Sequence, residues 1–247
     1  MLMKSSNPIL SDRLFNIRAT SNLEKMTIQG TVNKCFMLLL CVVGAASWTW
    51  TGAFSQGIAA LTPWMIFGGI AGFALALLTY FKNEWAHVTA PAYAVCQGVF
   101  LGALSAFFEQ SYPGIVIQAV GLTFGTLFCL LGAYKSGMIK ASENFKLGIS
   151  AATGGLCVFY AVSFILSLFG FRLNVIYGSG LLGIGFSLFV VTIAALNLVM
   201  DFDYIENGAE QGAPKQMEWV AAFGLMVTLI WLYVEILRLL SKLRDRR

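Results

Sequence analysis

The chain is poor in charged residues and almost without histidine. Of its 247 residues, 11% are charged, whereas soluble domains carry roughly 25%. The single histidine, His87, has no histidine partners for a zinc site. No G-x-S-x-G or similar sequence offers a nucleophilic serine for it to activate. We therefore expect that the protein is not an enzyme and that it needs no cofactor.

Three other patterns are missing as well. The five cysteines are odd in number and lie in or beside apolar stretches, which does not fit a disulfide framework. The net charge is only +4 and the basic residues form no stripe with interleaved aromatic residues, so nucleic acid is not an expected partner. A cleavable signal peptide would place an apolar core near the start of the chain. Residues 1–33 are polar, which does not fit such a peptide.

Hydrophobic residues make up 58% of the chain and fall into seven long stretches. A hydrocarbon core about 30 Å thick requires roughly 20 apolar residues per spanning helix. Continuous hydropathy favours helices over a membrane β-barrel, whose short strands alternate in polarity. We therefore predict an all-α integral membrane protein, a bundle of seven transmembrane helices that uses the lipid bilayer as its solvent. The predicted spans are 35–55, 61–81, 88–108, 114–134, 147–170, 176–200 and 217–237.

This reading divides the chain into three parts. Residues 1–33 form a polar N-terminal cytoplasmic segment, 34–241 the seven-helix membrane domain, and 242–247 a short basic tail. Within the spans, pairs of glycines four residues apart allow helix backbones to approach closely in lipid. These pairs predict a tightly packed bundle, and they are Gly68/Gly72, Gly98/Gly102 and Gly121/Gly125.

The distribution of basic residues suggests an orientation. With the N-terminus in the cytoplasm, ten basic residues lie on the inner side, and Arg172 lies in an outer loop. Seven full crossings, however, put Arg238 and the four basic residues after it outside, against the positive-inside rule. A seventh segment that re-enters the membrane, or a different number of spans, would restore the rule.

Two carboxylates are the main functional candidates, because ionisable groups inside a membrane are costly and rare. Asp201 lies where the sixth span meets a cytoplasmic loop, and Glu235 has apolar neighbours within the seventh. If the two met in a partly dry site, they would titrate as a unit. They could also bind Ca²⁺ weakly, since two carboxylates supply too few of its ligands. In the structural alternative, Asp201 ends a helix and Glu235 pairs with Arg238.

Further polar residues are secondary candidates. Asp203 and Glu206 follow Asp201 closely, and like Glu210 and Glu218 they are interpreted more simply as solvated loop acids. Gln97 lies well inside the third predicted span. Its amide should hydrogen-bond another helix or line a cavity.

Six stretches spread over nearly the whole chain are more specific than hydropathy. They are Ser6-Asn7-Pro8, residues 26–34, residues 93–105, residues 183–187, Asp201-Phe202-Asp203 and Leu232-Tyr233-Val234-Glu235. In this combination the chain resembles the bacterial branch of the Bax inhibitor-one family, also called the transmembrane Bax inhibitor motif family. The resemblance implies seven helices with the last one central, in the inner (plasma) membrane of a bacterium.

The resemblance also implies a function. It is a pH-sensitive calcium leak gated by two acids on the sixth and seventh helices, with Ca²⁺ as the permeant ion and H⁺ as the ion that the acids bind. Asp201 matches the first acid, and Glu235 stands in place of the second, which is usually aspartate. Gln97 stands where glutamate is expected. The alternative is a non-conducting protein that binds or modulates other membrane proteins, such as a membrane protease.

Overall fold

The computed structural model describes residues 25–170 and 178–246. Within these ranges it contains seven helices that are long and apolar enough to cross a membrane. They are α1 (Ile28–Gln56), α2 (Ile58–Phe81), α3 (Ala86–Ser111), α4 (Ile115–Lys135), α5 (Glu143–Leu168), α6 (Leu181–Glu210) and α7 (Met217–Asp245). The predicted all-α bundle of seven helices is confirmed, and the chain is a multi-pass membrane protein. Residues 1–24 and Arg172 lie outside the described ranges.

The helices follow one another with short connections, and local chemistry explains several boundaries. Thr27 caps α1, because its hydroxyl accepts the Gly30 N–H, and Ser142 caps α5 in the same way. Gly57 alone separates α1 from α2, with a positive φ of 87° that suits glycine. Such side-chain caps satisfy N–H groups that have no partner within the helix.

Several helices are longer than the hydropathy predicted. α1 begins at residue 28 instead of 35, α6 ends at 210 instead of 200, and α7 ends at 245 instead of 237. The predicted domain boundaries at 33/34 and 241/242 therefore fall inside α1 and α7. Polar residues extend these helices because a helix satisfies its own backbone groups outside hydrocarbon as well as within it.

α7 is the central helix. It packs against α1, α3, α4 and α6, and 50% of its span is buried, the largest share of the seven. On one side, Leu38 and Ala94 pack with Met226 of α7. On the other side, Ala119 and Leu198 pack with Leu232 of α7. α2 packs mainly on α3, and α5 packs on α6, at the periphery.

Two of the three predicted glycine pairs lie at close helix contacts. A Cβ atom at Gly102 would lie 2.3 Å from the carbonyl oxygen of Ala46, and one at Gly98 would lie 2.5 Å from that of Val42. These positions join α3 to α1. A Cβ at Gly68 would lie 2.6 Å from the Cys96 carbonyl oxygen, which joins α2 to α3. The predicted packing role is confirmed for these glycines.

The third pair behaves differently. A Cβ atom added at Gly121 or Gly125 would have no atom of the described residues within 4 Å. These glycines lie on an open face of α4, so the predicted packing role is wrong for them.

The ends of α7 lie at opposite ends of the bundle. Its first turn reaches the start of α1, where Glu218 pairs with Lys34. Its last turn reaches the α3–α4 connection and the start of α6, where Asp245 accepts hydrogen bonds from Tyr112 and Ser179. α7 is a continuous helix between these ends and one of the seven described helices long and apolar enough to cross a membrane, which favours a full seventh crossing over a re-entrant segment or a different number of spans. We call the two ends the amino face, at Glu218, and the carboxyl face, at Asp245.

Candidate functional site

Polar residues line the contact between α6 and α7 at seven-residue spacing, and all of them except the partly exposed Asp201 are buried. On α7 they are Thr228, Glu235 and Lys242, and on α6 they are Ser187 and Asp201, fourteen residues apart. Seven residues make nearly two helical turns, so each set lies on one helix face. We call these five residues the polar stripe. Fourteen residues rise about 21 Å, which is roughly two thirds of a hydrocarbon core.

Asp201 lies inside α6, which continues to Glu210. The interpretation that Asp201 ends a helix at the membrane surface is therefore wrong. The Thr228 hydroxyl lies beside its carboxylate and donates to the Gly224 carbonyl oxygen at 3.2 Å, while the carboxylate oxygen Oδ2 is buried and has no partner. Gly224, one turn before Thr228, also lies beside the carboxylate, since a Cβ there would be in ordinary contact with Asp201 Oδ1 at 3.9 Å. One oxygen of this carboxylate is thus left without a partner.

A cavity of about 250 Å³ connects Asp201 with the amino face. It extends from Asn83, in the α2–α3 connection, along Tyr80 and Tyr204 to the Asp201 carboxylate. From Asp201 to the end of α6 at Glu210 is nine residues, or about 13 Å of helix. The cavity therefore reaches well into the bundle.

Glu235 is the second acid of the polar stripe, and its side chain is also half satisfied. Arg238 Nη1 donates to Oε1 at 2.8 Å, and the Tyr160 hydroxyl donates to the same oxygen at 3.3 Å. The second oxygen, Oε2, is buried without a partner. The pairing with Arg238 expected from the sequence is confirmed. With 3% exposure, however, Glu235 belongs to the interior and not to the surface.

Asp201 and Glu235 do not form the predicted pair. Thr228, which lies beside Asp201, precedes Glu235 by seven residues, which corresponds to about 10 Å along α7. The sequence could suggest that both residues lie near α7, but not the register of α6 along it. The two acids consequently occupy separate sites, and a shared Ca²⁺ site is wrong for this arrangement. Among the described residues, no group of three or more His, Cys, Asp or Glu could hold a metal ion.

Lys242 completes the polar stripe near the carboxyl face, and the sequence interpretation missed it by assigning it to a basic tail. Its side chain is 4% exposed. The ammonium donates to the Gly183 carbonyl oxygen at 3.1 Å and to Ser187 Oγ at 2.9 Å. These acceptors belong to the stretch 183–187 that carried part of the resemblance. The spacing Thr228, Glu235, Lys242 was the sequence signal that could have revealed this residue.

The secondary acids on α6 make contacts with other helices. Asp203 pairs with Lys146 of α5 at 2.8 Å, and Glu206 accepts a hydrogen bond from the Tyr134 hydroxyl of α4. Both acids lie within α6, so their interpretation as loop acids is wrong. They connect α6 to its neighbours near the amino face.

Glu218 is almost fully buried, at 1% exposure, and it too was interpreted wrongly as a solvated loop acid. It accepts hydrogen bonds from the Thr27 backbone N–H at 2.9 Å and the Thr27 hydroxyl at 3.0 Å, and it pairs with Lys34. Gly30 leaves the room this carboxylate needs, because a Cβ there would lie 2.2 Å from Oε1. We call these four residues the amino-face clasp. Three of them, Thr27, Gly30 and Lys34, belong to the stretch 26–34 that carried part of the resemblance.

Gln97 lies between α2 and α3. Its Nε2 atom would lie 2.7 Å from a Cβ at Gly72, so the amide packs against the glycine of the facing helix. Of the two roles weighed from the sequence, helix packing is the one that this contact supports.

Comparison with known proteins gives the family. A family model described as Bax inhibitor 1 like matches residues 7–245. No curated protein and no solved structure matches the chain. The match extends over nearly the whole sequence, and the seven-helix bundle agrees with the fold that the resemblance implied. The chain therefore belongs to the Bax inhibitor 1 like family.

Proposed function

We propose that the protein is a pH-sensitive cation leak, with Ca²⁺ or H⁺ as the permeant ion and Asp201 as its proton-sensing group. The main support is that Asp201 lines the cavity at the amino face and has one buried carboxylate oxygen without a partner. A carboxylate charge in a dry interior is costly unless a donor or cation neutralises it. Ionised Asp201 would therefore draw water or a cation into the cavity, whereas protonated Asp201 would not.

The direction of the pH response follows from this argument. High pH ionises Asp201 and favours the hydrated, conducting arrangement, and low pH protonates it and favours the dry one. Glu235 is the second acid of this proposal, and its carboxylate pairs with Arg238 within the bundle. Both acids contact or lie on α7, the central helix, so either can shift the same element.

The test is Ca²⁺ flux in vesicles reconstituted with purified protein and measured between pH 6 and pH 8. We expect the wild-type flux to rise with pH, and we expect Asp201→Asn to abolish most of that dependence. Asp203→Asn is the matched control, because Asp203 lies two residues further along α6 and already has Lys146 as its partner. An equal pH response in the wild type and Asp201→Asn would contradict the role of Asp201.

The same assay separates the proposal from the non-conducting alternative. If wild-type vesicles passed no more Ca²⁺ than empty ones at any pH, the protein would act instead by binding other membrane proteins, for instance a membrane protease. That the chain is not an enzyme and needs no cofactor stays a prediction. Its specific partners stay predictions as well.

We also propose a bacterial inner membrane with the amino face in the cytoplasm. The support is charge: the amino face and residues 1–33 together contain ten basic residues, and cytoplasmic loops of membrane proteins are enriched in Lys and Arg. In this orientation the cavity that leads to Asp201 opens toward the cytoplasm, so internal pH is the quantity that Asp201 senses.

A further inference from the structure

Lys242 is a buried cation whose hydrogen-bond partners are uncharged. Its ammonium contacts two uncharged oxygens, the Gly183 carbonyl and the Ser187 hydroxyl, and none of the ion pairs among the described residues involves it. Buried charges are normally paired with an opposite charge. Carbonyl and hydroxyl oxygens are, however, the kind of ligand that replaces water around a permeating cation. The Lys242 ammonium therefore occupies a site with the chemistry of a cation site.

This site lies in line with the two acids. Asp201 and Ser187 are fourteen residues apart on α6, and the residues they contact, Thr228 and Lys242, are fourteen residues apart on α7. These two contacts therefore fix the antiparallel register of α6 and α7. Glu235 lies midway between Thr228 and Lys242 on α7.

On α6 the same midpoint is Ala194, which is fully buried. A methyl group offers no hydrogen bond, in agreement with the unpartnered Oε2 of Glu235. The polar stripe thus runs from the amino-face cavity past two half-satisfied acids and ends at the Lys242 ammonium.

We propose that the ammonium of Lys242 blocks the cation route at the carboxyl face, by occupying the last cation site with a positive charge that is covalently attached to α7. This inference rests on the proposed leak and adds its outer gate. A Ca²⁺ ion moving along the stripe would meet the charge of Lys242, with Arg238 one turn before it. Repulsion between like charges is strong where water is scarce.

The gate can open without unfolding a helix. Lysine has a long flexible side chain whose charged end can reach toward water while its stem stays in an apolar setting. α7 ends at Asp245, three residues after Lys242, so the aqueous surface is near. Movement of the ammonium from Gly183 and Ser187 to that surface would free both oxygens for a permeant ion.

The test compares Ca²⁺ flux in vesicles for Lys242→Met and the wild type. Methionine keeps an unbranched side chain of similar length and removes the charge, so we expect a severalfold rise in flux at pH 8, where the proposed leak is in its hydrated arrangement at Asp201. Lys242→Arg keeps a positive charge and should stay near the wild type. Arg244→Met is the matched control, because Arg244 binds Pro113 and Gln118 outside the stripe, and it should leave the flux unchanged.

Ser187→Ala provides a second variant that does not alter charge. It removes one acceptor of the ammonium, and we expect a smaller rise in flux than with Lys242→Met. Trapped calcein reports damage to the vesicle or the fold, and all variants should retain it. The inference is overturned if Lys242→Met conducts like the wild type, if Arg244→Met raises the flux equally, or if calcein escapes together with Ca²⁺.

The double variant Asp201→Asn/Lys242→Met distinguishes this inference from the proposed function. If both are correct, the added Asp201→Asn change lowers the raised flux. If Lys242→Met raises flux but Asp201→Asn leaves it high, the gate is supported and the role of Asp201 is overturned. If wild-type flux depends on Asp201 and Lys242→Met changes nothing, only the gate is overturned. If no variant conducts, both fail.

Discussion

At the scale of single residues, the buried ionisable groups differ in how completely they are satisfied. Glu218 accepts two hydrogen bonds from Thr27 and forms an ion pair with Lys34. Asp201 and Glu235 each leave one buried oxygen unpartnered. A fully satisfied polar group stabilises one conformation, whereas a half-satisfied group favours its neutral or hydrated states when they become available. We therefore assign Glu218 to stability and the two stripe acids to function.

This difference predicts the effect of Glu218→Ala. The substitution leaves Lys34, whose side chain is only 16% exposed, without its partner, and it removes the acceptor of the Thr27 N–H. We expect the free energy of unfolding to fall by about 2–4 kcal/mol, measured as a lower melting temperature in detergent. Glu210→Ala, at an exposed position in the last turn of α6, should change it little. Equal shifts for the two variants would contradict the clasp.

The sequence could identify Asp201 and Glu235 because acids stand out in apolar surroundings. Glu218 and Lys242 lie near the ends of α7, where charge is ordinary, and only the seven-residue spacing with Thr228 and Glu235 pointed to Lys242. Their burial depends on the register between helices, and the pattern of one helix contains no information on that register. The same reason explains why the sequence left open whether the two acids meet.

At the scale of helices, glycine pairs with the same four-residue spacing differ in whether they contact a neighbouring helix. Gly98 and Gly102 of α3 face α1 at backbone contact, whereas Gly121 and Gly125 of α4 face open space. A four-residue step places both glycines on one helix face, but it does not say which face meets a neighbour. Hydropathy was more informative, because each span satisfies its own backbone bonds and can be recognised alone.

The glycine contrast gives a matched pair of variants. In Gly102→Ala the new Cβ would lie 2.1 Å from Thr49 Oγ1 and 2.3 Å from the Ala46 carbonyl oxygen, so α1 and α3 must move apart. We expect a loss of about 1–3 kcal/mol of unfolding free energy. In Gly125→Ala the Cβ meets nothing, and we expect no loss or a gain of roughly 0.5–1 kcal/mol from helix propensity. Thermal unfolding in one detergent compares them, and equal losses would contradict close packing at Gly102.

At the scale of the whole molecule, an odd number of crossings conflicts with the positive-inside rule only if the terminal cations are free. Three of them are bound: Arg238 pairs with Glu235, Lys242 binds Gly183 and Ser187, and Arg244 binds Pro113 and Gln118. Contacts with the protein offset part of the cost of placing these charges at the outer face. The rule counts residues and not contacts, which is why the basic residues after the seventh span raised the alternatives of a re-entrant segment or a different number of spans.

Seven crossings predict that the two ends of the chain lie on opposite sides of the membrane. With the amino face in the cytoplasm, green fluorescent protein fused to the N-terminus should fluoresce, and alkaline phosphatase fused after Arg247 should be active. Phosphatase fused after Gln211, at the end of α6, should be inactive, because only six crossings precede it. This control shares every other element of the chain, so it isolates α7. Fluorescence of a C-terminal fusion, with an inactive phosphatase at the same position, would mean that α7 does not cross and that Lys242 faces the cytoplasm.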